Sequence, residues 1–106
     1  MEALRRAMEA VPGSTLAHYR LPRQTVVLRV VSGRCPACER HKRSTADAYE
    51  RGLGADLVVE VNVDDARVHR LVHDAGVTKI PAYLLLPPSG APAVVRYPDE
   101  VPLRTP

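Results

Sequence analysis

The run Thr25-Val26-Val27-Leu28-Arg29-Val30-Val31 constrains the fold of this chain more than any other stretch. It is almost continuously apolar, the pattern of a strand buried on both faces rather than the alternation of a half-exposed one. Leu57-Val58-Val59-Glu60-Val61-Asn62-Val63 repeats that pattern. Between them lies a polar stretch, Glu39 to Arg51, that reads as one helix beginning at Cys38 or slightly earlier. Its thin inner face is Ala37, His41, Thr45, Ala48 and Tyr49, and Gly52 and Gly54 end it. A helix joining two doubly buried strands implies parallel pairing through a right-handed crossover.

The rest of the chain extends the pattern. Asp64 or Asp65 caps a further helix, whose stripe is Val68, Leu71, Val72 and Ala75 and whose stop is Gly76. Ala82 to Leu86 is a third strand. The turn Pro87-Pro88-Ser89-Gly90 returns the chain into a fourth, Ala93 to Tyr97, so the last pair is antiparallel. Glu2 to Ala10 reads as a short helix ended by Pro12-Gly13, residues 14–24 stay open between edge strand and loop, and residues 98–106 form a proline-broken tail. A single α/β domain over residues 1–106, with a mixed sheet flanked by helices, is the expectation. With four Tyr and no Phe or Trp, the core must come from Val, Leu, Ile and Ala.

The net charge of +3, from 15 basic and 12 acidic residues, is too mild to argue for nucleic acid. The chain also lacks the interleaved aromatics of a single-strand binder. The first ten residues have no apolar core of a signal peptide, and no apolar run reaches membrane-span length. The expectation is a cytoplasmic protein with neither nucleic-acid nor membrane partners. Local charge is more telling: Arg34, Arg40, Lys42 and Arg43 cluster, with His41, around Cys35-Pro36-Ala37-Cys38. By default that cluster is a solvated face, and docking of an acidic partner is the sharper alternative.

Those two cysteines are the only ones in the chain. Three apart in a cytosolic setting, they point to catalysis or metal binding rather than a structural staple. Cys35, Cys38 and His41 are three candidate zinc ligands where a structural site usually wants four. His69 and His73 stand i, i+4 on the next helix and read, like His18, as solvated residues. Redox chemistry therefore ranks above zinc, and no cofactor or metal is expected.

A strand, then C-x-x-C at a helix start, then Ile80-Pro81 before another strand, resembles the thioredoxin family. The likeness covers Thr25 to Tyr97. It is strongest over Leu57 to Asp65, with Asn62-x-Asp64, and over Gly76 to Leu86. It implies a thioredoxin-like fold that lacks the family's C-terminal helix, so the N-terminal segment or a second subunit in a dimer would cover that face. There are departures. Arg34 stands where thioredoxins have Trp, and Pro36-Ala37 where they have Gly-Pro. The buried Asp and Lys of two neighbouring strands are replaced, signs exchanged, by Arg29 and Glu60. An unpartnered buried charge is very costly, so Arg29 and Glu60 are expected to pair near Cys38.

The resemblance implies a thiol–disulfide oxidoreductase acting on protein disulfides or dithiols, with a thioredoxin-reductase-like electron donor. Cys35 at the helix N-cap would be the nucleophile. Free backbone N–H groups of Ala37 and Cys38, the helix dipole and Arg34 would all favour its thiolate, below the ordinary value of ~8.5. Pro36 suits the first helical turn because its missing N–H is not needed there. Cys38 would resolve the mixed disulfide, and Pro81, if cis, would set the Ile80 backbone beside Cys35. His41 reads as a partly exposed helix residue in preference to a proton acceptor for Cys38. Asp64 and Asp65 read as caps, and Tyr49, Tyr83 and Tyr97 as core or core-edge residues. A binding module with incidental cysteines is the rival reading. It expects Cys35→Ser to leave function intact.

Overall fold

A computed structural model describes residues 15–98. The helix expected over residues 2–10, the tail beyond Pro98 and the question of a C-terminal helix lie outside the described residues. A 3₁₀ turn, Leu16–Tyr19, leads into strand β1, Val26–Val31. Helices α1, Pro36–Ser44, and α2, Ala46–Gly52, precede strand β2, Leu57–Asn62. Helix α3, Ala66–Asp74, precedes strands β3, Ala82–Leu86, and β4, Val94–Arg96. The sheet order is β2-β1-β3-β4. β1 runs parallel to β2 and antiparallel to β3, and β3 runs antiparallel to β4. The protein is thus an α/β structure whose four-stranded mixed sheet is flanked by three helices among the described residues.

Strand alternation splits the sheet into two unlike faces. Val26, Leu28 and Val30 align with Leu57, Val59 and Val61 on one side and with Leu86, Leu84 and Ala82 on the other. With Val68, Leu71 and Val72 of α3, Val77 and Tyr19 they form an apolar core. The opposite face carries Val27, Arg29, Val31 and Tyr83, covered by the buried Cys38, His41, Ala46 and Glu50 of α1 and α2. In the register, Arg29 sits between Glu60 and Tyr83.

α3 ends as expected. The N–H of Val77 reaches the carbonyl of Val72 and that of Gly76 the carbonyl of His73, the paired bonds of a Schellman close. Gly76 supplies the positive φ of 103° that this close requires. At its start Asp65, not Asp64, caps the helix, accepting from the N–H of Arg67. The fourth strand is shorter than expected, three residues in place of five.

The single helix expected from Glu39 to Arg51 is two. Thr45 has left helical geometry, at φ −130° and ψ −11°, and the Ser44 hydroxyl bonds back to the Arg40 carbonyl at 2.6 Å. Such back-bonding by Ser and Thr bends helices. The break moves the inward stripe by one residue. An uninterrupted helix would turn Thr45, Ala48 and Tyr49 inward. Here Thr45 and Ala48 are exposed and Tyr49 half-buried, while Ala46 and Glu50, one turn apart, are buried.

Candidate active site

The chain leaves β1 through a tight turn held from outside. The Ser32 hydroxyl donates to Asp64 at 2.8 Å, and the Gly33 N–H donates to the other oxygen of the same carboxylate at 3.0 Å. Those bonds hold the Asp64 carboxyl below the usual range. The Arg34 N–H donates to the Ser32 hydroxyl oxygen at 3.1 Å, while the Arg34 side chain is exposed. Asp64, expected as a cap, instead secures the turn directly before Cys35.

Cys35 is the N-cap of α1, with Pro36 as the first helical residue. Cys35 and Cys38 are joined by a disulfide, with Cα atoms 5.2 Å apart. The Cys38 N–H points at Cys35 Sγ, 3.0 Å away. Burial is unequal: Cys35 is half-buried and Cys38 only 4 % exposed. The outer sulfur is therefore the one a second molecule meets first, and it already accepts a backbone N–H at the positive end of a helix.

Ile80 and Pro81, joined by a cis peptide bond, come from the loop before β3. They share an open groove of 720 Å³ with Ala37, His41, Tyr49 and Pro98, rimmed by Arg40. A separate cavity of 80 Å³ brings Cys38 together with Glu60, Lys42 and Val31. The structure thus puts Cys35, Pro36 and Cys38 in the first turn of α1, brings Ala37 of that turn into one groove with Ile80 and Pro81, and places Glu60 across a small cavity from the inner cysteine.

Arg29 pairs with Glu60, as expected, through Nη1 and Oε1 at 3.0 Å. Its main partner is another. Glu50 of α2 takes two hydrogen bonds from the guanidinium, Nε to Oε2 at 2.6 Å and Nη2 to Oε1 at 2.9 Å. Burial alone would raise the Glu50 carboxyl, but the bonds from Arg29 and the Tyr83 hydroxyl hold it below the ordinary value. Glu50 in turn raises the Arg29 guanidinium.

The cluster continues to His41. The Tyr83 hydroxyl donates to Glu50 Oε2 at 2.6 Å and lies 2.6 Å from His41 Nε2. A hydroxyl has one proton to give. Because Glu50 receives it, His41 Nε2 donates to Tyr83, while Nδ1 lies 2.7 Å from the Thr45 hydroxyl, which also reaches the His41 carbonyl at 3.4 Å. Burial lowers the imidazole, which the Glu50 charge raises and the Arg29 charge lowers. Burial and the bond to Glu50 push the Tyr83 phenol up. His41 is therefore a buried side chain bonded at both ring nitrogens, its charged form disfavoured by burial, which corrects the expectation of a partly exposed residue.

Glu50 and Tyr83 escaped the sequence reading as polar partners. The signal for Tyr83 is a lone hydroxyl in the apolar strand Ala82–Leu86, and for Glu50 the Ser44-Thr45 pair, which marks the break that turns it inward. His69 and His73 lie on α3, exposed and apart from the cysteines, and among the described residues no three His, Cys, Asp or Glu side chains group as a metal site. No helix among the described residues is long and apolar enough to cross a membrane. Comparison with protein-family models gave no match to this chain, and comparison with curated proteins gave none either.

Proposed function

We propose that this chain is a thioredoxin-like thiol–disulfide oxidoreductase, with Cys35 as nucleophile and Cys38 as resolving thiol. The observation that carries the reading is the asymmetry of the pair: a half-buried Cys35 at a helix N-cap, disulfide-bonded to a buried Cys38 one turn along the same helix. Further support comes from the sheet order, with one parallel and two antiparallel pairings, and from Ala37, Ile80 and Pro81 lining one groove.

In the reducing direction the Cys35 thiolate attacks one sulfur of a substrate disulfide. A Cys35–substrate disulfide forms and the other substrate sulfur leaves as a thiolate. Cys38 loses its proton and attacks Cys35 Sγ. The substrate's second sulfur leaves, and the Cys35–Cys38 disulfide of this structure is restored. Two electrons pass to the substrate, whose two thiolates take up two protons. A dithiol reductase of the thioredoxin-reductase class would recharge the pair. Protein disulfides are the substrate class this reading takes, supported by an open groove that lies along the helix Cys35 caps and is lined by Ala37, Ile80 and Pro81.

The test is the redox equilibrium of the pair in metal-free glutathione and dithiothreitol buffers, read by alkylation and mass. A two-electron transition between the reductant and oxidant poises of this chemistry, ~−270 to −120 mV, is the expected result. Cys38→Ser should trap a mixed disulfide on Cys35, whereas Cys35→Ser should trap none. No intrachain disulfide at any poise would overturn the reading.

A further inference from the structure

Helix α3 carries two histidines that the proposed redox cycle leaves unused. His69 and His73 are one helical turn apart, with rings nearly parallel, 9° between planes and 6.2 Å between centroids. Both are exposed, on a helix whose other face buries Val68, Leu71 and Val72. The Asp65 cap and the Gly76 close fix both ends of that helix, so the spacing of the two rings rests on an anchored backbone. They also line a groove of 380 Å³ with Val63, Val77 and Thr78. Lys79, on the same groove, holds its ammonium 5.2 Å from the centre of the Tyr97 ring.

We propose that His69 and His73 form a two-point imidazole chelate for a divalent transition-metal ion, Cu²⁺ above all, on the exposed face of α3. Imidazole nitrogen suits the borderline metals, and an H-x-x-x-H helix turn puts two such donors on one face. Once one ring has bound, the second acts at high effective concentration, so the pair holds an ion that either ring alone would release.

The donor set also selects the metal. No third His, Cys, Asp or Glu among the described residues completes the pair, so water or a small anion fills the remaining positions. A closed tetrahedral zinc site needs four protein ligands. A tetragonal Cu²⁺ ion, the strongest binder of the divalent series, is satisfied by two imidazoles with exchangeable ligands beside them.

The experiment is calorimetric titration of the full, disulfide-oxidised chain with Cu²⁺, with Ni²⁺ as second probe, plus electron paramagnetic resonance of the copper form. Keeping the cysteines oxidised removes their thiolates from the competition, and it makes the outcome independent of the redox proposal. One Cu²⁺ per chain is expected, with coupling to two imidazole nitrogens. H69A and H73A should each weaken binding roughly tenfold or more, and H18A should leave it unchanged. H73A/R70H keeps the number of histidines but removes the one-turn spacing, and should bind as weakly as H73A. Stoichiometric binding that survives H69A/H73A, or full affinity in H73A/R70H, would overturn the assignment. So would parent affinity no higher than that of H69A/H73A.

Discussion

Arg29 and Glu50 face each other across the interface between the sheet and the helical layer, joined by two hydrogen bonds of 2.6 and 2.9 Å. Their side chains are 12 % and 9 % exposed. Removing one partner of such a pair leaves a charge that has lost both water and its counter-ion, which is where most of the cost of disruption arises. Glu60 adds a third charge at the solvent edge, 35 % exposed. The cation on the central strand is thus neutralised chiefly from the helix and only secondarily from the neighbouring strand.

Glu50→Gln should therefore cost more stability than Glu60→Gln. A loss of about 3 kcal/mol is expected for the buried partner, against under about 1 kcal/mol for the more exposed one. Urea unfolding of both variants, with Arg29→Leu/Glu50→Leu as the paired control, checks it. Equal losses for the two single variants would mean that Glu50 does not dominate the pair. The double variant should recover part of the Glu50→Gln loss, since the only charge it leaves without Arg29 is that of the more exposed Glu60.

Tyr83→Phe deletes one oxygen that serves two buried neighbours, Glu50 and His41. Leaving those groups short of a partner should cost ~1–3 kcal/mol. The bond directions also fix an observable in the parent protein: the neutral imidazole of His41 should carry its proton on Nε2, as nitrogen chemical shifts will report. A proton on Nδ1 would mean that Tyr83 donates to His41 rather than to Glu50.

The pH profile of stability follows from the same cluster. His41 is lowered in the folded protein by burial, with Glu50 and Arg29 pulling in opposite directions. Its contribution is present above the unfolded value, ~6.5, and is lost as pH falls from there through the folded value. Glu50 is also depressed, so its contribution is present above ~4.3 and is lost on further acidification. Tyr83 is raised, so its contribution is complete below ~10 and is lost as pH rises through the folded value. Stability should be flat between ~6.5 and ~10 and fall in two steps on the acid side. His41→Gln should remove the first acid step and keep the second. A profile unchanged by that substitution would separate His41 from the acid sensitivity.

Much of this architecture was legible from residue pattern alone. Continuous apolar runs such as Thr25–Val31 mark doubly buried strands, and a cap at Asp64 or Asp65 and the Gly76 stop bracket α3, because those signals are local, although only the structure chooses Asp65. The Arg29–Glu60 pair was legible because a charge inside an apolar run demands a counter-charge. Glu50 was not, for a physical reason: the break at Thr45 rotates the following helix by about one residue, and no periodicity count across an assumed continuous helix registers it. The role of His41 was hidden with it, since the ring is buried only because Tyr83 and Thr45 offer it partners on both sides.

Asp64 ties the turn before Cys35 to the segment after β2, through the Ser32 hydroxyl and the Gly33 N–H. Ser32 relays the constraint to the Arg34 N–H, one residue from the N-cap cysteine. The carboxylate is on the surface, so its removal should act on local order rather than on global stability. Asp64→Ala is expected to speed amide hydrogen exchange at Gly33 and Arg34 while leaving the urea midpoint nearly unchanged. It should also broaden the geometry in which Cys35 meets a partner, seen as slower disulfide exchange at an unaltered equilibrium position. Exchange at Gly33 that matches the parent would show that the turn holds its shape without Asp64. A shifted redox equilibrium would show instead that the carboxylate acts on the cysteines through its charge.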